Sequence, residues 1–134
     1  MSHAQTIDIQ SQQDMEFIDI TEQVRDFVRA CRCQEGMLLV FTPHTTAGVT
    51  INENADPDVR HDIGEFFKRR LSNQDYFRHS EGNSPAHILS SLVSASEALI
   101  IENGQLLLGT WQGIFFCEFD GPRRRRVHLK IIPG

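Results

Sequence analysis

Residues 42–58 read TPHTTAGVTINENADPD, a polar elbow followed by a strand and the start of a helix. An apolar run at residues 38–41 ends here, so the ring of His44 and the hydroxyls of Thr45 and Thr46 follow a strand directly. Loops that a rigid scaffold holds at strand ends are favoured places for binding and catalysis. We therefore expect the functional site at this elbow.

Downstream of the elbow, the pattern predicts a strand at residues 49–52 and a helix at residues 57–71. Asp56 is a favoured N-cap residue, and Pro57 suits the first helical position. One apolar stripe runs along the predicted helix: Val59, Ile63, Phe66, Phe67 and Leu71. This spacing indicates a helix that packs on one side.

Upstream of the elbow, residues 5–10 and 16–20 alternate apolar and polar side chains, which predicts two strands paired in a hairpin. Thr21 is the expected N-cap of an amphipathic helix that ends near Gly36. Its buried stripe is formed by Val24, Phe27, Val28 and Cys31. A strand at residues 37–42 then leads into the elbow.

The C-terminal part contains a further capped helix and a series of strands. Ser84 is the expected N-cap and Pro85 the first helical residue. Asn103-Gly104 is a strong hairpin signal, and Trp111 is interpreted as a core residue at a bend. The predicted strands cover residues 98–102, 105–108, 114–120 and 124–132.

Alternation along the last strand places Arg123 and Arg125 on the side of the apolar residues. A guanidinium there needs a carboxylate or an anionic ligand to offset the loss of hydration. For Arg123 we favour a ligand over an internal acid such as Glu118. In the preceding strand Glu118 shares its face with apolar side chains.

Length and composition are those of one globular domain covering residues 1–134. Hydrophobic residues make up 40% of the chain and charged residues 23%, and no apolar run approaches the roughly 20 residues of a membrane span. The N-terminal residues do not resemble a secretory signal, and the three cysteines are an odd count. These features predict a cytoplasmic protein that has reduced thiols and no membrane partner.

Charge is distributed unevenly along the chain. Residues 123–134 contain five basic residues and no acid, whereas the chain as a whole has a net charge of −5. A basic end on an acidic body indicates self-association or anion binding. No aromatic residues are interleaved with the arginines to stack on bases, so a nucleic-acid partner is not favoured.

Two histidines flank a turn at residues 79–87, which read HSEGNSPAH. Gly82 and Asn83 permit a turn that would bring the rings of His79 and His87 together. His87 lies in a first helical turn, where the helix dipole keeps the ring neutral and able to bind a metal. Capping and loop packing are the alternative explanation for this stretch.

Three motifs in order, PHTTAGVTINENADPDV, HSEGNSPAH and LLLGTWQGIFFCEFDGPRRRRV, resemble the YjbQ-like family, some members of which are described as secondary thiamine-phosphate synthases. The resemblance implies a compact α+β sandwich of mainly antiparallel sheets with helices packed on one side. It also implies a homotrimer with polar clefts between subunits. The motif residues it carries over are His44, Thr45, Thr46, Asn52, Glu53, Asp56, His79, Asn83, His87, Gly109, Thr110, Trp111, Gln112, Glu118, Gly121, Pro122 and Arg123.

The activity implied by the resemblance joins a hydroxymethylpyrimidine diphosphate to a thiazole phosphate and releases pyrophosphate. His44, His79 and His87 would hold a divalent metal ion, for which three imidazoles favour zinc over magnesium. The phosphorylated substrate would be bound by Thr45, Thr46, Asn52, Asn83, Gln112 and Arg123. The alternatives are a non-catalytic trimer that binds a metal or anion, and a metal-assisted hydrolase in which Glu53 or Glu118 is the base.

Overall fold

The computed structural model describes residues 3–134, which form eight strands and three helices. In chain order the elements are β1 (Ala4–Gln10), β2 (Glu16–Asp19), α1 (Thr21–Cys31), β3 (Gly36–Phe41), β4 (Ala47–Glu53), α2 (Pro57–Arg70), α3 (Ser84–Val93), β5 (Ser96–Glu102), β6 (Gln105–Leu106), β7 (Gln112–Glu118) and β8 (Arg124–Pro133). None of the helices within residues 3–134 is long and apolar enough to cross a membrane.

The strands form two antiparallel sheets. The larger sheet has the order β1-β8-β3-β5-β6, and the smaller has the order β2-β7-β4. One apolar face of each sheet contributes to a shared core, which includes Leu38 and Val40 from β3 and Ile114 and Phe116 from β7. The α+β architecture with mainly antiparallel sheets is therefore confirmed.

The helices occupy two different layers. The buried stripe of α1 belongs to the core shared by the two sheets, whereas α3 contributes Ala86 and Leu89 to a second apolar cluster. That cluster covers the other face of the small sheet, where Phe115 and Cys117 project from β7, and Phe67 of α2 packs against it. Strand β7 is buried on both faces, which explains its nearly continuous apolar run.

The predicted pairing of the two N-terminal strands is wrong. β1 pairs with β8 in the large sheet, and β2 pairs with β7 in the small sheet. Alternating side chains identify a strand and its buried face, but they do not identify its neighbour. The connection at residues 11–15 crosses from one sheet to the other instead of forming a hairpin turn.

Two predicted helix caps also differ from the structure. Thr21 and Ser84 are the first helical residues, with Ile20 and Asn83 at the cap positions. Asp19 accepts the backbone N–H of Thr21 at 2.9 Å, as an N-cap side chain would. The Asp56 cap of α2 is confirmed, since its carboxylate accepts the N–H of Asp58 at 2.9 Å.

The turn at Asn103-Gly104 is confirmed, and both residues have positive φ, 54° and 76°. Trp111, in contrast, is 62% exposed and is not a core residue. Its backbone carbonyl accepts the N–H of Asn54 at 3.0 Å, so the bend is held by main-chain contacts.

Gly121 lies where the crossing connection passes the turn between β7 and β8. A Cβ atom at Gly121 would lie 2.2 Å from the carbonyl oxygen of Gln13, which is closer than real Cβ contacts. We expect Gly121→Ala to reduce the free energy of unfolding by about 1–3 kcal/mol, measured by urea denaturation.

Gly64 is the matched control for this substitution, because it lies inside α2 and an added Cβ would be 3.5 Å from Phe17, an ordinary contact. We expect Gly64→Ala to leave stability unchanged or to raise it by up to about 1 kcal/mol. Equal effects of the two substitutions would contradict the close approach at Gly121.

Candidate functional site

The elbow between β3 and β4 places His44 against the first residues of β8. The Nε2 atom of His44 accepts a hydrogen bond from the backbone N–H of Arg126 at 2.9 Å. Burial lowers the pKa of His44, and the positive charges of Arg125 and Arg126 lower it further. The ring is therefore neutral, with its proton on Nδ1, which is available as a hydrogen-bond donor.

A cleft of about 680 Å³ opens beside this ring. Its lining residues are Asp8, Ile9, Gln10, His44, Arg124, Arg125 and Arg126. The exposed guanidiniums of Arg124 and Arg126 form no hydrogen bond or ion pair with any residue that the structure describes. Two such guanidiniums beside a neutral histidine make this cleft suited to a phosphate group.

Arg125 lies between Arg124 and Arg126 but points to the other face of β8 and is buried, as the alternation along the strand predicts. Its Nε donates to Glu118 at 2.9 Å, and a second nitrogen contacts the same carboxylate and also Thr46 Oγ1 at 2.8 Å. Ser11 donates its hydroxyl to Glu118 at 2.6 Å. The pair thus ties β7 of the small sheet to β8 of the large sheet.

These contacts oppose the use of Glu118 as a general base, a role that stays a prediction. Burial alone would raise the pKa of Glu118, but hydrogen bonds from Arg125, Ser11 and the N–H of Asp120 outweigh burial and lower it. The carboxylate is fully buried and is a poor proton acceptor. Its role is to hold Arg125 and Thr46 in place.

The two threonines of the elbow differ in exposure. Thr46 is buried and accepts from Arg125, whereas Thr45 is exposed beside His44. Of the two predicted phosphate donors, Thr45 is therefore the accessible one.

Arg123 does not point to the apolar side, because β8 begins only at Arg124 and alternation does not extend to it. Its guanidinium donates to the carbonyl oxygen of Asp120 at 2.7 Å and to the Asp120 carboxylate at 2.8 Å. The acid that pairs with Arg123 is thus Asp120, and Glu118 is paired with Arg125. Binding of a ligand by Arg123 stays a prediction.

Three further predicted site residues make local bonds to the backbone. Asn52 accepts the N–H of Glu53 at 2.7 Å, and Glu53 accepts the N–H of Asp56 at 3.1 Å. Gln112 accepts the N–H of Gly109 at 2.8 Å and pairs across the sheet with Glu53. These contacts shape the start of α2 and the bend before β7.

The second polar stretch brings His79 and His87 together, with ring centroids 5.3 Å apart and ring planes perpendicular. A carboxylate oxygen of Glu81 lies 3.9 Å from Nε2 of His79. Asn83 donates to Asp120 at 2.8 Å, and its own side-chain oxygen is buried without a partner among the described residues.

The three predicted metal ligands do not form a metal site within one chain. No group of three or more His, Cys, Asp or Glu side chains in residues 3–134 is arranged to hold a metal ion. The Nε2 lone pair of His44 is used by Arg126, so its other nitrogen carries the proton and neither is free to bind a metal. Metal binding stays a prediction, which in this geometry rests on His79, His87 and ligands from outside the chain.

Sequence reasoning did not select Arg124 and Arg126 as site residues, although it placed both on the polar stripe of the last strand. Asp120 and Ser11 were not identified either. An acid and a hydroxyl at the ends of strands carry no periodic signal, and their roles depend on which strands are neighbours.

Comparison with known proteins gives consistent matches over nearly the whole chain. Residues 5–134 match the family model described as UPF0047 protein YjbQ-like. A UPF0047 protein of Methanocaldococcus jannaschii is 53% identical over 117 residues, covering 87% of this chain and 85% of that protein. YugU of Bacillus subtilis, also a UPF0047 protein, is 49% identical over 128 residues, covering 95% and 97%.

Solved structures agree with the same fold. The crystal structure of an uncharacterized YjbQ/UPF0047 protein from Clostridium acetobutylicum has a TM-score of 0.92 and 52% identity, covering 95% of this chain and 98% of that chain. A protein of unknown function from Sulfolobus solfataricus also has a TM-score of 0.92, at 29% identity, covering 98% and 96%.

Removing one member of the buried ion pair leaves the other charge without compensation. We expect Glu118→Gln to lower the free energy of unfolding by about 3–5 kcal/mol near pH 7. Glu65→Gln is the control, because Glu65 pairs with Arg69 at the surface, where such a pair contributes about 0–1 kcal/mol.

The pH dependence follows from the lowered pKa of Glu118. The stabilisation is fully present above the unfolded carboxyl pKa of about 4.3 and is lost as the pH falls through the lower folded value. The stability gap between wild type and Glu118→Gln should therefore narrow in acid, as measured by urea unfolding at several pH values. A stability difference between the two proteins that does not change with pH would contradict an ionised Glu118 paired with Arg125.

Proposed function

Because the chain belongs to the UPF0047 YjbQ-like family, we propose that it binds a small phosphorylated molecule in the cleft beside His44 and acts on it there. The observation that carries the proposal is the pair of guanidiniums, Arg124 and Arg126, that have no partner within residues 3–134 and form one wall of that cleft. A planar guanidinium matches the geometry of phosphate oxygens and keeps its charge at all physiological pH values.

The reaction we propose is the one that the resemblance implies. The thiazole nitrogen attacks the methylene carbon of the pyrimidine diphosphate, a C–N bond forms, and the C–O bond to pyrophosphate breaks. Negative charge develops on the leaving pyrophosphate, so fixed positive charges beside it stabilise the transition state. Arg124 and Arg126 supply these charges.

Neutral His44 and exposed Thr45 add hydrogen-bond donors to the proposed phosphate site and form no covalent bond to the substrate. The Nδ1–H of His44 and the hydroxyl of Thr45 are donors at the mouth of the elbow. Their task is to orient phosphate oxygens, while the backbone N–H of Arg126 holds the histidine ring. Nothing in this scheme requires a proton acceptor with a raised pKa.

His44, His79 and His87 do not form a shared metal site within residues 3–134, so the arginines supply the positive charge of the proposed reaction. The closeness of His79 and His87 favours a second candidate, metal binding at that pair with further ligands from a neighbouring subunit. This candidate corresponds to the non-catalytic metal- or anion-binding trimer.

A homotrimer is part of the same proposal. Exposed apolar side chains support self-association, since Met37, Ile100 and Ile132 form one row across β5, β3 and β8 and are 46%, 57% and 53% exposed. Such a row on the surface of a small protein is typical of an interface. Phe66 and Leu92 expose further apolar surface on α2 and α3.

The proposed function is tested by Arg126→Gln, which removes the guanidinium and keeps the backbone N–H that holds His44. We expect binding of the pyrimidine diphosphate, measured by calorimetry, to weaken about tenfold, as the loss of one charge-assisted contact of about 1.4 kcal/mol would cause. The rate of pyrophosphate release from the two substrates should fall at least as much.

Arg69→Gln is the control for this experiment, because Arg69 is an exposed arginine on α2 that pairs with Glu65. Binding without any product from wild-type protein would favour the non-catalytic alternative. An unchanged affinity of Arg126→Gln would remove the cleft from the proposal.

The trimer is tested by sedimentation at micromolar concentration, where we expect a mass of three chains of 15.3 kDa each. Ile100→Asp should shift the mass toward one chain, because it places a charge in the apolar row. Tyr76→Ser, at a loop residue that is 77% exposed, should leave the mass unchanged. A single-chain mass for wild type would contradict the trimer.

A further inference from the structure

A second concave surface lies away from the elbow, between α1 and the turn that joins β5 to β6. It is a groove of about 480 Å³. Its lining residues are Arg25, Val28, Arg29, Arg32, Gln34, Asn103, Gly104, Gln105 and Leu106. None of these residues lines the cleft beside His44. The groove is therefore a separate feature that the proposed function does not use.

One wall of the groove carries three guanidiniums from α1 and its C-cap. Arg25, Arg29 and Arg32 recur at spacings of four and three residues, which places them on one face of the helix. They lie beside the buried stripe that holds α1 on the core, so their position is determined by the packing of the helix. Three of the 13 basic residues of an acidic chain thus meet at one groove.

Most N–H donors of these three guanidiniums are not used by the neighbouring acidic side chains. Arg25 lies 3.7 Å from Glu22, beyond hydrogen-bond distance, and Arg29 contacts Asp26 through one nitrogen. The guanidinium of Arg32 has no hydrogen bond or ion pair within residues 3–134. Since each guanidinium carries five N–H donors, the wall can receive an anion without breaking a buried contact.

The opposite wall is lined by carboxamides. The side chains of Gln34, Asn103 and Gln105 form no hydrogen bond with the part of the chain that the structure describes. The backbone of the turn is already satisfied, because the N–H of Gly104 donates to the carbonyl oxygen of Gln34 at 3.0 Å. A carboxamide both donates and accepts hydrogen bonds, as do the hydroxyls of a polyol.

We propose that this groove binds a small phosphorylated polyol such as a sugar phosphate. The guanidiniums of Arg25, Arg29 and Arg32 bind the phosphate, and the carboxamides of the opposite wall bind the hydroxyls. The volume lies within the range of about 300–1,000 Å³ that is usual for small-molecule sites. Val28 and Leu106 provide an apolar floor for the carbon skeleton.

The experiment follows backbone amide resonances of the full-length protein by NMR during titration with ribose 5-phosphate. Ribose and inorganic phosphate are the matched probes, since each carries one half of the proposed recognition. We expect ribose 5-phosphate to shift the amides of Arg32, Gln34 and residues 103–106, and to bind at least about tenfold more tightly than either probe, a difference of about 1.4 kcal/mol.

Variants separate this groove from the cleft beside His44. Arg32→Gln should weaken ribose 5-phosphate binding at the groove about tenfold, whereas Arg126→Gln and Arg69→Gln should leave it unchanged. The double variant Gln34→Ala/Gln105→Ala should reduce the preference for ribose 5-phosphate over inorganic phosphate.

Shifts confined to the elbow cleft, or an unchanged affinity of Arg32→Gln, would overturn the proposal. Equal affinities for ribose 5-phosphate and inorganic phosphate would also overturn it, because the carboxamides would then make no contribution to binding. The groove and the proposed function can fail separately, because Arg126 lies in the cleft beside His44 and does not line the groove.

Discussion

The buried ion pair between Glu118 and Arg125 is the contact on which the arrangement of the two sheets depends. Glu118 ends β7 and Arg125 lies near the start of β8, so the pair joins one sheet to the other. Ser11 and Thr46 add hydrogen bonds from the crossing connection and the elbow. Two charges can be removed from water only when hydrogen bonds and ion pairing compensate both of them. The buried pair therefore fixes the relative positions of β7, β8, the crossing connection and the elbow.

The same pair determines the chemistry of the surface above it. Arg125 points inward, so strand alternation directs its neighbours Arg124 and Arg126 outward into the cleft. The backbone N–H of Arg126 donates to Nε2 of His44, and this bond determines which ring nitrogen carries the proton. The buried ion pair and the proposed anion site thus share three consecutive arginines.

Basic groups in this acidic chain are concentrated on two concave surfaces that arise from different elements. The cleft beside His44 is formed by β1, the elbow and β8, whereas the groove along α1 is completed by the β5–β6 turn. Arg124 and Arg126 in the cleft and Arg32 in the groove have no side-chain partner among the described residues, and each faces a space large enough for a small molecule. The guanidiniums at each surface are opposite in sign to the net charge of −5.

The sequence by itself determined most of the elements, the buried face of α1 and the need of Arg125 for an anion, because periodicity is set by the geometry of a single strand or helix. The apolar stripe predicted for α2, in contrast, includes Phe66, which is 59% exposed. Only the tertiary structure decided that β1 pairs with β8, that Glu118 belongs to Arg125 and Asp120 to Arg123, and that Trp111 is exposed. The reason is sequence distance: Ser11 and Glu118 are hydrogen-bonded across 107 positions, and local periodicity carries no record of such a contact. The proton position on His44 was equally beyond reach, since it depends on the N–H of a residue 82 positions away.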